Sequence, residues 1–282
     1  MILSGNTARK ITLKSINSEK PAEQFADVRR HVPFLAKHES LARCLESLLC
    51  YPKLRRVFAE AAGEQNLMAE VIRRLGLKTR FIGLEEKVPQ KGPVVVVCNH
   101  SHGGADATAL MGEMARIRPD FKALANRETA LLPGLGELIF PVSILQADQA
   151  AENVTSIRAM LKHVKQGGAL GLFPAGRVAV WRGDRMRDPV WNEQVVKLLQ
   201  RMDATVIPLW FYGSPPAAVN LLSRLSGFVR TALIPTAIVK MRGQEIVGRA
   251  GDVISGRELR EMGSDAGPWL RRCIESLDDL GN

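Results

Sequence analysis

The sequence has few of the residues that mark disulfide-rich, metal-binding or base-stacking proteins. Its 282 residues include four cysteines and five histidines, and aromatic residues make up 5% of the chain. No two cysteines have the short spacing of a zinc knuckle or a redox motif, so we expect reduced thiols. The aromatic residues are not interleaved with the basic runs, which argues against nucleic acid as a partner.

Long apolar runs are also missing. No stretch reaches the roughly 18 to 20 uncharged residues of a membrane-spanning helix, because Pro, Gly or Arg interrupts each candidate. The first ten residues, MILSGNTARK, lack the apolar core and the cleavage pattern of a signal peptide. We therefore expect a protein that stays in the cytoplasm and does not cross a membrane.

Acidic residues are too few to balance the basic ones. The chain has 39 Lys and Arg against 29 Asp and Glu, a formal net charge of +10. This excess favours an anionic partner such as a membrane surface or an acidic carrier protein, and a merely soluble basic surface is the alternative.

The first part of the chain has a helical pattern. Residues 1–20 are polar and predict a loosely held arm, whereas apolar residues from 21 to 77 recur at spacings near three and four. The sequence thus predicts a helical N-terminal segment over 1–77, which either associates with a membrane or packs on the main domain. Arginine doublets beside its apolar faces suit anionic lipid, and solvated arginines explain them equally well.

After residue 77, strand-like runs alternate with helical stretches. This alternation predicts an α/β domain over 78–282, with a mainly parallel central sheet flanked by helices. Ligand sites in such sheets form in loops after the carboxyl ends of strands. The predicted strands are 79–84, 93–98, 120–125, 169–173 and 205–211, the predicted helices are 107–117, 150–164 and 191–202, and 131–145 mixes loop, short helix and strand.

The end of the chain is less regular. Residues 226–255 predict one or two further strands, and a closing helix is expected from about Arg257 to Leu280, interrupted near Gly263 and Gly267.

The stretch VVVVCNHSHGGAD, residues 94–106, brings reactive side chains to a predicted strand end. It admits three interpretations: a metal site, a histidine base with its orienting carboxylate, or a strand that leads into a helix capped by Asp106. Metal is disfavoured, because the only later histidine is His163, on an amphipathic helix. Gly103 and Gly104 permit a turn that brings His100 back to Asp106 and leave space for a substrate.

Four segments in the right order resemble the sequence blocks of the PlsC-type lysophospholipid acyltransferases, the glycerolipid acyltransferase superfamily. Asn99-His100, two glycines and an acid resemble the first block, and the resemblance covers about residues 80–255. The later blocks are FKALANRETALLPGLGELIFPVSIL at 121–145, GLFPAGR at 171–177 and VIPLWFYG at 206–213.

The resemblance implies transfer of a fatty acyl group from acyl-CoA or acyl carrier protein to the hydroxyl of a lysolipid, with no cofactor and no metal. His100 would be the general base and Asp106 its orienting partner. Gly176 and its neighbouring amides are candidates for an anion nest. Residues implied in binding the acceptor or the oxyanion are Asn99, His102, Gly103, Gly104, Phe173, Pro174, Ala175, Gly176 and Arg177.

The chain departs from the common blocks in two places. The common spacing is His-x4-Asp, while His100 and Asp106 are separated by five residues, as in a hemolysin-like or lyso-ornithine-lipid acyltransferase branch. The common third block is Phe-Pro-Glu-Gly-Thr-Arg, whereas here Ala175 replaces the acid and Arg177 directly follows the glycine. Arg177 is either a partner for an anionic group of the acceptor or a surface arginine, and His102 is either a substrate contact or the base itself.

Charge and resemblance together predict a peripheral enzyme on the cytoplasmic face of a bacterial inner membrane. The basic run WRGDRMR at 181–187 is interpreted as a membrane-facing or a solvated loop. Two other functions stay open: acyl or aminoacyl transfer to lipid A or another saccharide lipid, and non-catalytic lipid binding by a basic protein.

Overall fold

The computed structural model describes residues 37–143, 150–182, 185–223 and 227–281. The predicted polar arm and the first part of the predicted helical segment, up to residue 36, lie outside the described residues. Three helices precede the sheet: α1 (Glu39–Leu48), α2 (Tyr51–Ala61) and α3 (Leu67–Leu75). No helix within the described ranges is long and apolar enough to cross a membrane.

Strands and helices then alternate along the chain, as the sequence pattern predicts. The strands are β1 (Lys78–Ile82), β2 (Val94–Cys98), β3 (Lys122–Asn126), β4 (Ile139–Val142), β5 (Ala169–Leu172), β6 (Val180–Arg182), β7 (Arg185–Arg187), β8 (Thr205–Tyr212), β9 (Glu245–Ala250) and β10 (Ile254–Ser255). The helices are α4 (Leu84–Lys87), α5 (Ala105–Ile117), α6 (Ala150–Lys165), α7 (Glu193–Arg201), α8 (Ala217–Ser223), α9 (Gly227–Ala232), α10 (Ile234–Lys240), α11 (Gly256–Glu261) and α12 (Ala266–Glu275).

Eight strands form one sheet in the order β1-β9-β8-β2-β5-β3-β4, with β10 paired to β8. Five neighbouring pairs are parallel, while β8 pairs antiparallel with both β9 and β10. The predicted fold class, a mainly parallel central sheet flanked by helices, is therefore confirmed. β6 and β7 form a separate antiparallel hairpin.

The run of four valines is explained by the central position of β2, between β5 and β8. All of Val94–Cys98 is fully buried. Val94, Val96 and Cys98 pack into the core on one face, and Val95 and Val97 pack into the core on the other. A strand buried on both faces has no reason to alternate apolar with polar residues, so its sequence is continuously apolar.

Helices α2 and α3 share the larger of these two cores. Leu54, Phe58 and Val71 are buried in it beside residues of β2 and α5. On α3, Arg73 and Arg74 both bind the carboxylate of Glu70. The apolar face of α3 is therefore occupied by protein, and the lipid contact expected for the N-terminal segment stays a prediction.

Three expectations for the second half of the chain were wrong in part. Residues 227–240 form α9 and α10 ahead of the predicted strands, because Pro235 occupies the first turn of α10, where its missing N–H costs nothing. The closing helix is split at Gly263 into α11 and α12, and Gly267 lies inside α12. The basic run at 181–187, interpreted as a loop, belongs to the β6–β7 hairpin.

The core next to the candidate site gives the first prediction. Leu110 of α5 is fully buried, whereas the side chain of Leu48 on α1 is 73% exposed. We expect Leu110→Ala to lower the free energy of unfolding by about 2 to 5 kcal/mol, because it leaves a cavity. Leu48→Ala, the matched control, should cost less than about 0.5 kcal/mol. Urea unfolding measures both, and equal costs would contradict the assigned core.

Candidate active site

The candidate residues lie in loops that follow neighbouring strands, at one edge of the sheet. β8, β2 and β5 lie side by side and are parallel, so their carboxyl ends meet. Asn99 directly follows β2, and its side-chain amide makes two hydrogen bonds to the backbone of Phe211 on β8, of 3.0 Å and 2.6 Å. Asn99 is therefore placed to hold the loop after β2 against the sheet, with both polar ends of its side chain engaged.

Asp106 lies in the first turn of α5, which begins at Ala105, and its side chain is fully buried. The expectation that Asp106 is the N-cap was wrong, because Gly104 occupies that position with a φ of 101°. The carboxylate nevertheless accepts hydrogen bonds from the backbone N–H groups of His102, Gly104 and Ala107, at 2.9, 3.2 and 2.8 Å. These bonds satisfy amides at the helix start that have no partner within the helix.

His100 and Asp106 are in contact. Nδ1 of His100 lies 3.0 Å from both carboxylate oxygens of Asp106. The ring also packs on Phe173, with 4.6 Å between ring centroids. With Nδ1 engaged and 17% of the side chain exposed, Nε2 is the nitrogen left for a substrate.

His102 is placed differently. Its side chain is buried, and its Nδ1 lies 2.8 Å from the Ser101 hydroxyl. Its Nε2 would lie only 3.2 Å from a side chain introduced at Gly213 after β8. The backbone of His102 binds Asp106, while its ring binds Ser101 and faces β8.

Both glycines of the patch adopt a positive φ, 65° at Gly103 and 101° at Gly104. The turn that they were expected to permit is therefore present. The space that they were expected to leave is filled, because a Cβ at Gly103 would lie 3.2 Å from Ala237, and one at Gly104 would lie 3.2 Å from Ile234. Helix α10 thus packs against the glycines.

The turn after β5 supplies the third group of candidates. Phe173 lies beside His100, Pro174 and Ala175 are buried, and Gly176 turns the chain with a φ of 60°. The N–H of Gly176 donates to the carbonyl of Phe173 at 2.9 Å, so it is engaged within the turn and is not open to an anion. Arg177 follows with an exposed side chain.

Asp188, which was not a candidate from the sequence, lies beside His100. One of its carboxylate oxygens accepts the backbone N–H of His100 at 3.0 Å, and the other accepts the indole N–H of Trp191 at 3.3 Å. Arg271 donates to the Asp188 carbonyl at 3.0 Å. A lone Asp after a basic run has no motif spacing, and only the fold of the β6–β7 hairpin brings it here.

The carboxylates change the proton affinities of both histidines. Burial by itself lowers the pKa of His100, but the charge and hydrogen bond of Asp106 and the charge of Asp188 raise it above the ordinary value. Burial lowers the pKa of His102, and the charge of Asp106 does not compensate. Burial opposes ionisation of Asp106, yet the contact with His100 lowers its pKa overall. His100 is thus the stronger base of the two rings.

The other histidine considered as a metal ligand is elsewhere. Nε2 of His163, on α6, lies 3.1 Å from the carbonyl oxygen of Ala169, and its ring packs beside Phe140. In the part of the chain that the structure describes, no three His, Cys, Asp or Glu side chains are grouped as metal ligands would be.

The chain is similar to known proteins. The protein-family model described as Acyltransferase matches residues 80–212. The crystal structure of the 1-acyl-sn-glycerophosphate (LPA) acyltransferase PlsC from Thermotoga maritima is similar, with a TM-score of 0.49 and 13% sequence identity over 92% of this chain and 94% of that chain. No curated protein matches the sequence. The family match includes His100 and Asp106, and the predicted enzyme class, an acyltransferase, is confirmed.

The two histidines should titrate on opposite sides of the ordinary value. We expect NMR titration of the imidazoles to give His100 a pKa above 6.5 and His102 a pKa below 6.5. Asp106→Asn removes the charge that raises the pKa of His100, so burial then dominates and the pKa falls. His100→Gln and His102→Gln assign the signals, and an unchanged His100 pKa in Asp106→Asn would contradict the electrostatic account.

Proposed function

We propose that the enzyme moves a fatty acyl group from acyl-CoA or acyl carrier protein to the hydroxyl group of a lysolipid at a membrane surface. The observation that carries this proposal is the pairing of a partly accessible His100 with the buried carboxylate of Asp106, inside the stretch matched by the Acyltransferase family. A thioester is already activated, so catalysis requires mainly a base for the acceptor hydroxyl and a place for the oxyanion.

In the proposed reaction, Nε2 of His100 takes the proton of the acceptor hydroxyl as its oxygen attacks the thioester carbonyl carbon. The tetrahedral intermediate collapses when the carbon–sulfur bond breaks. The imidazolium then returns its proton from Nε2 to the leaving thiolate, which gives an ester and a free thiol. His100 is regenerated in each cycle, because it ends in its starting protonation state.

The proposed role of Asp106 is to hold the ring and to stabilise its charge. The hydrogen bond at Nδ1 keeps that nitrogen protonated and leaves Nε2 as the acceptor. Three backbone N–H groups bind the same carboxylate and favour its ionised form. Asp106 therefore stays ionised although its side chain is fully buried.

The same geometry favours His100 over His102 as the base. The His102 ring binds Ser101 instead of a carboxylate, and burial keeps its pKa low. We therefore assign the His-x5-Asp spacing to the catalytic pair and give His102 a positioning role through its backbone bond to Asp106.

A covalent acyl-enzyme is not part of the proposed mechanism. Cys98 is the nearest thiol in sequence to the site, and it is fully buried. Burial raises the pKa of Cys98 well above its ordinary value, so it is kept as an unreactive thiol. The acyl group is thus proposed to pass directly from donor to acceptor.

On the acceptor side we propose that the turn after β5 and the exposed Arg177 receive the lysolipid head group. In support of this proposal, Phe173 packs on the His100 ring, Pro174 and Ala175 of the same turn are buried, and the exposed Arg177 follows them. Arginine binds phosphate and carboxylate through paired hydrogen bonds. Lysophospholipids and lyso-aminolipids such as lyso-ornithine lipid both carry such groups, and the His-x5-Asp spacing resembles the second branch.

We propose that residues 78–282 form the catalytic domain and that the protein is peripheral on the cytoplasmic face of the inner membrane. The net charge of +10 supports attraction to anionic lipid and to an acidic carrier protein. Leu41 and Leu48 of α1 present exposed apolar side chains on the N-terminal segment, which suits contact with the interface.

The catalytic assignment predicts unequal effects of the two histidines. His100→Ala should lower kcat by about 100-fold to 10,000-fold, the usual contribution of a general base, with vesicle binding retained. His102→Ala should lower kcat less, because it removes a positioning contact. Radiolabelled acyl transfer and vesicle sedimentation measure the two properties. Equal losses of kcat, or full activity of His100→Ala, would refute the assignment, and the second result would favour a non-catalytic lipid-binding protein.

The acceptor class is tested by direct comparison of substrates. The three acceptors are lysophosphatidate, lyso-ornithine lipid and lipid A. We expect purified enzyme with labelled acyl-CoA or acyl carrier protein to acylate one of the first two at least about 10-fold faster than it acylates uncharged monoacylglycerol, because an anionic head group matches Arg177. Transfer only to lipid A would support the saccharide-lipid alternative. Activity with none of the three acceptors would count against the proposed function.

A further inference from the structure

A small pocket lies between the loop that carries His100 and helices α9 and α10. Its walls are apolar except at one position, Arg230 of α9, and they include Gly103, Val178, Met186, Val219 and Leu233. Arg230 is thus the position of this pocket at which an anion can bind.

The pocket adjoins the backbone of the loop that carries His100. Gly103 belongs to the patch that carries His100, and it forms part of the pocket wall. Ala179 also lines the pocket, and its N–H donates to the carbonyl of His100 at 2.7 Å. A molecule in this pocket therefore contacts the backbone segments that position His100.

Arg230 brings an unsatisfied donor to this pocket. Its Nε is buried and has no hydrogen-bond partner among the described residues. A buried donor without an acceptor is costly, and such groups are rare in folded proteins unless a ligand or water binds them. The donor is thus a candidate for binding an acceptor atom of a substrate.

A second guanidinium group belongs to Arg177, and the next residue, Val178, lines the same pocket as Arg230. Burial lowers the pKa of Arg230, and the positive charge of Arg177 lowers it further. Two like charges repel each other in a partly buried site, so their proximity is unfavourable until an anion lies between them. Two guanidinium groups match a phosphate, which carries up to two negative charges, better than a single carboxylate.

We propose that Arg230, together with Arg177, binds a phosphate group of a substrate. This inference rests on the proposed acyl transfer and adds a residue from α9, which no sequence block contains. The phosphate belongs either to the head group of a lysophospholipid or to CoA, and binding measurements distinguish these sources.

Isothermal titration of the full-length protein tests the site without requiring turnover. The probes are hexanoyl lysophosphatidate below its micellar concentration, monohexanoylglycerol as its uncharged analogue, and CoA. Arg230→Gln removes the charge, Arg230→Lys keeps it, and Arg201→Gln, at an exposed arginine of α7, is the matched control. His100→Ala should abolish turnover and still bind lysophosphatidate more tightly than monohexanoylglycerol, so loss of catalysis and loss of the phosphate site are separable.

We expect Arg230→Gln to weaken binding of a phosphate probe at least about 10-fold, as for a lost charge-assisted hydrogen bond, and to leave monohexanoylglycerol unaffected. Arg230→Lys should bind a phosphate probe more weakly than the unaltered protein and more tightly than Arg230→Gln. Arg201→Gln should have no effect on binding. A loss confined to lysophosphatidate assigns the head group, and a loss confined to CoA assigns the donor. Unchanged binding of both phosphate probes, or equal weakening for monohexanoylglycerol, would overturn the proposal.

Thermal unfolding separates this site from a structural role. Without ligand, Arg230→Gln should unfold at the same or a higher temperature, because it removes a repelled and unsatisfied charge. A lower unfolding temperature for Arg230→Gln, with Arg230→Lys unaffected, would mean that the guanidinium charge stabilises the fold and would contradict a ligand site.

Discussion

The Asp106 carboxylate is fully buried, and it binds the imidazole of His100 and three backbone N–H groups at the start of α5. A buried carboxylate without such partners would bind a proton, because burial alone raises the pKa of a carboxyl group. The same bonds fix the loop between β2 and α5. One electrostatic interaction therefore determines the protonation of Asp106, the orientation of His100 and the path of the backbone between them.

The strand order of the sheet determines which residues surround His100 and Asp106. Because β8, β2 and β5 are parallel neighbours, the loops after them meet at one edge. Asn99 ties the first loop to β8, and Phe173 from the third packs on the His100 ring. Asp188, at the end of the β6–β7 hairpin, accepts the backbone N–H of His100. His100 is thus held on several sides by different elements, which limits its motion and favours one orientation.

Helices α8, α9 and α10 give the site a partly apolar cover. α10 packs against Gly103 and Gly104, so the open space expected above the glycines is protein instead. The pocket lies between α9 and the same loop, with Gly103 in its wall. Arg230 supplies its charged side chain. A buried arginine donor without a partner among the described residues costs stability, and such a cost is typical of positions that bind a ligand.

The pattern of the sequence by itself determined the α/β class and most of the strand and helix order up to β8, apart from the β6–β7 hairpin, because local apolar periodicity decides these features. The residues at 94–106 left three interpretations open, and the family resemblance favoured the pairing of His100 with Asp106. Residues 227–240 were misassigned, since most of α10 is buried and a buried helix has no amphipathic period. Asp188 and Arg230 could not be found from spacing, because they lie 88 and 130 residues from His100. Only the tertiary structure brings Asp188 into contact with His100 and Arg230 into a pocket with Gly103, since contacts across the fold are properties of the packed chain.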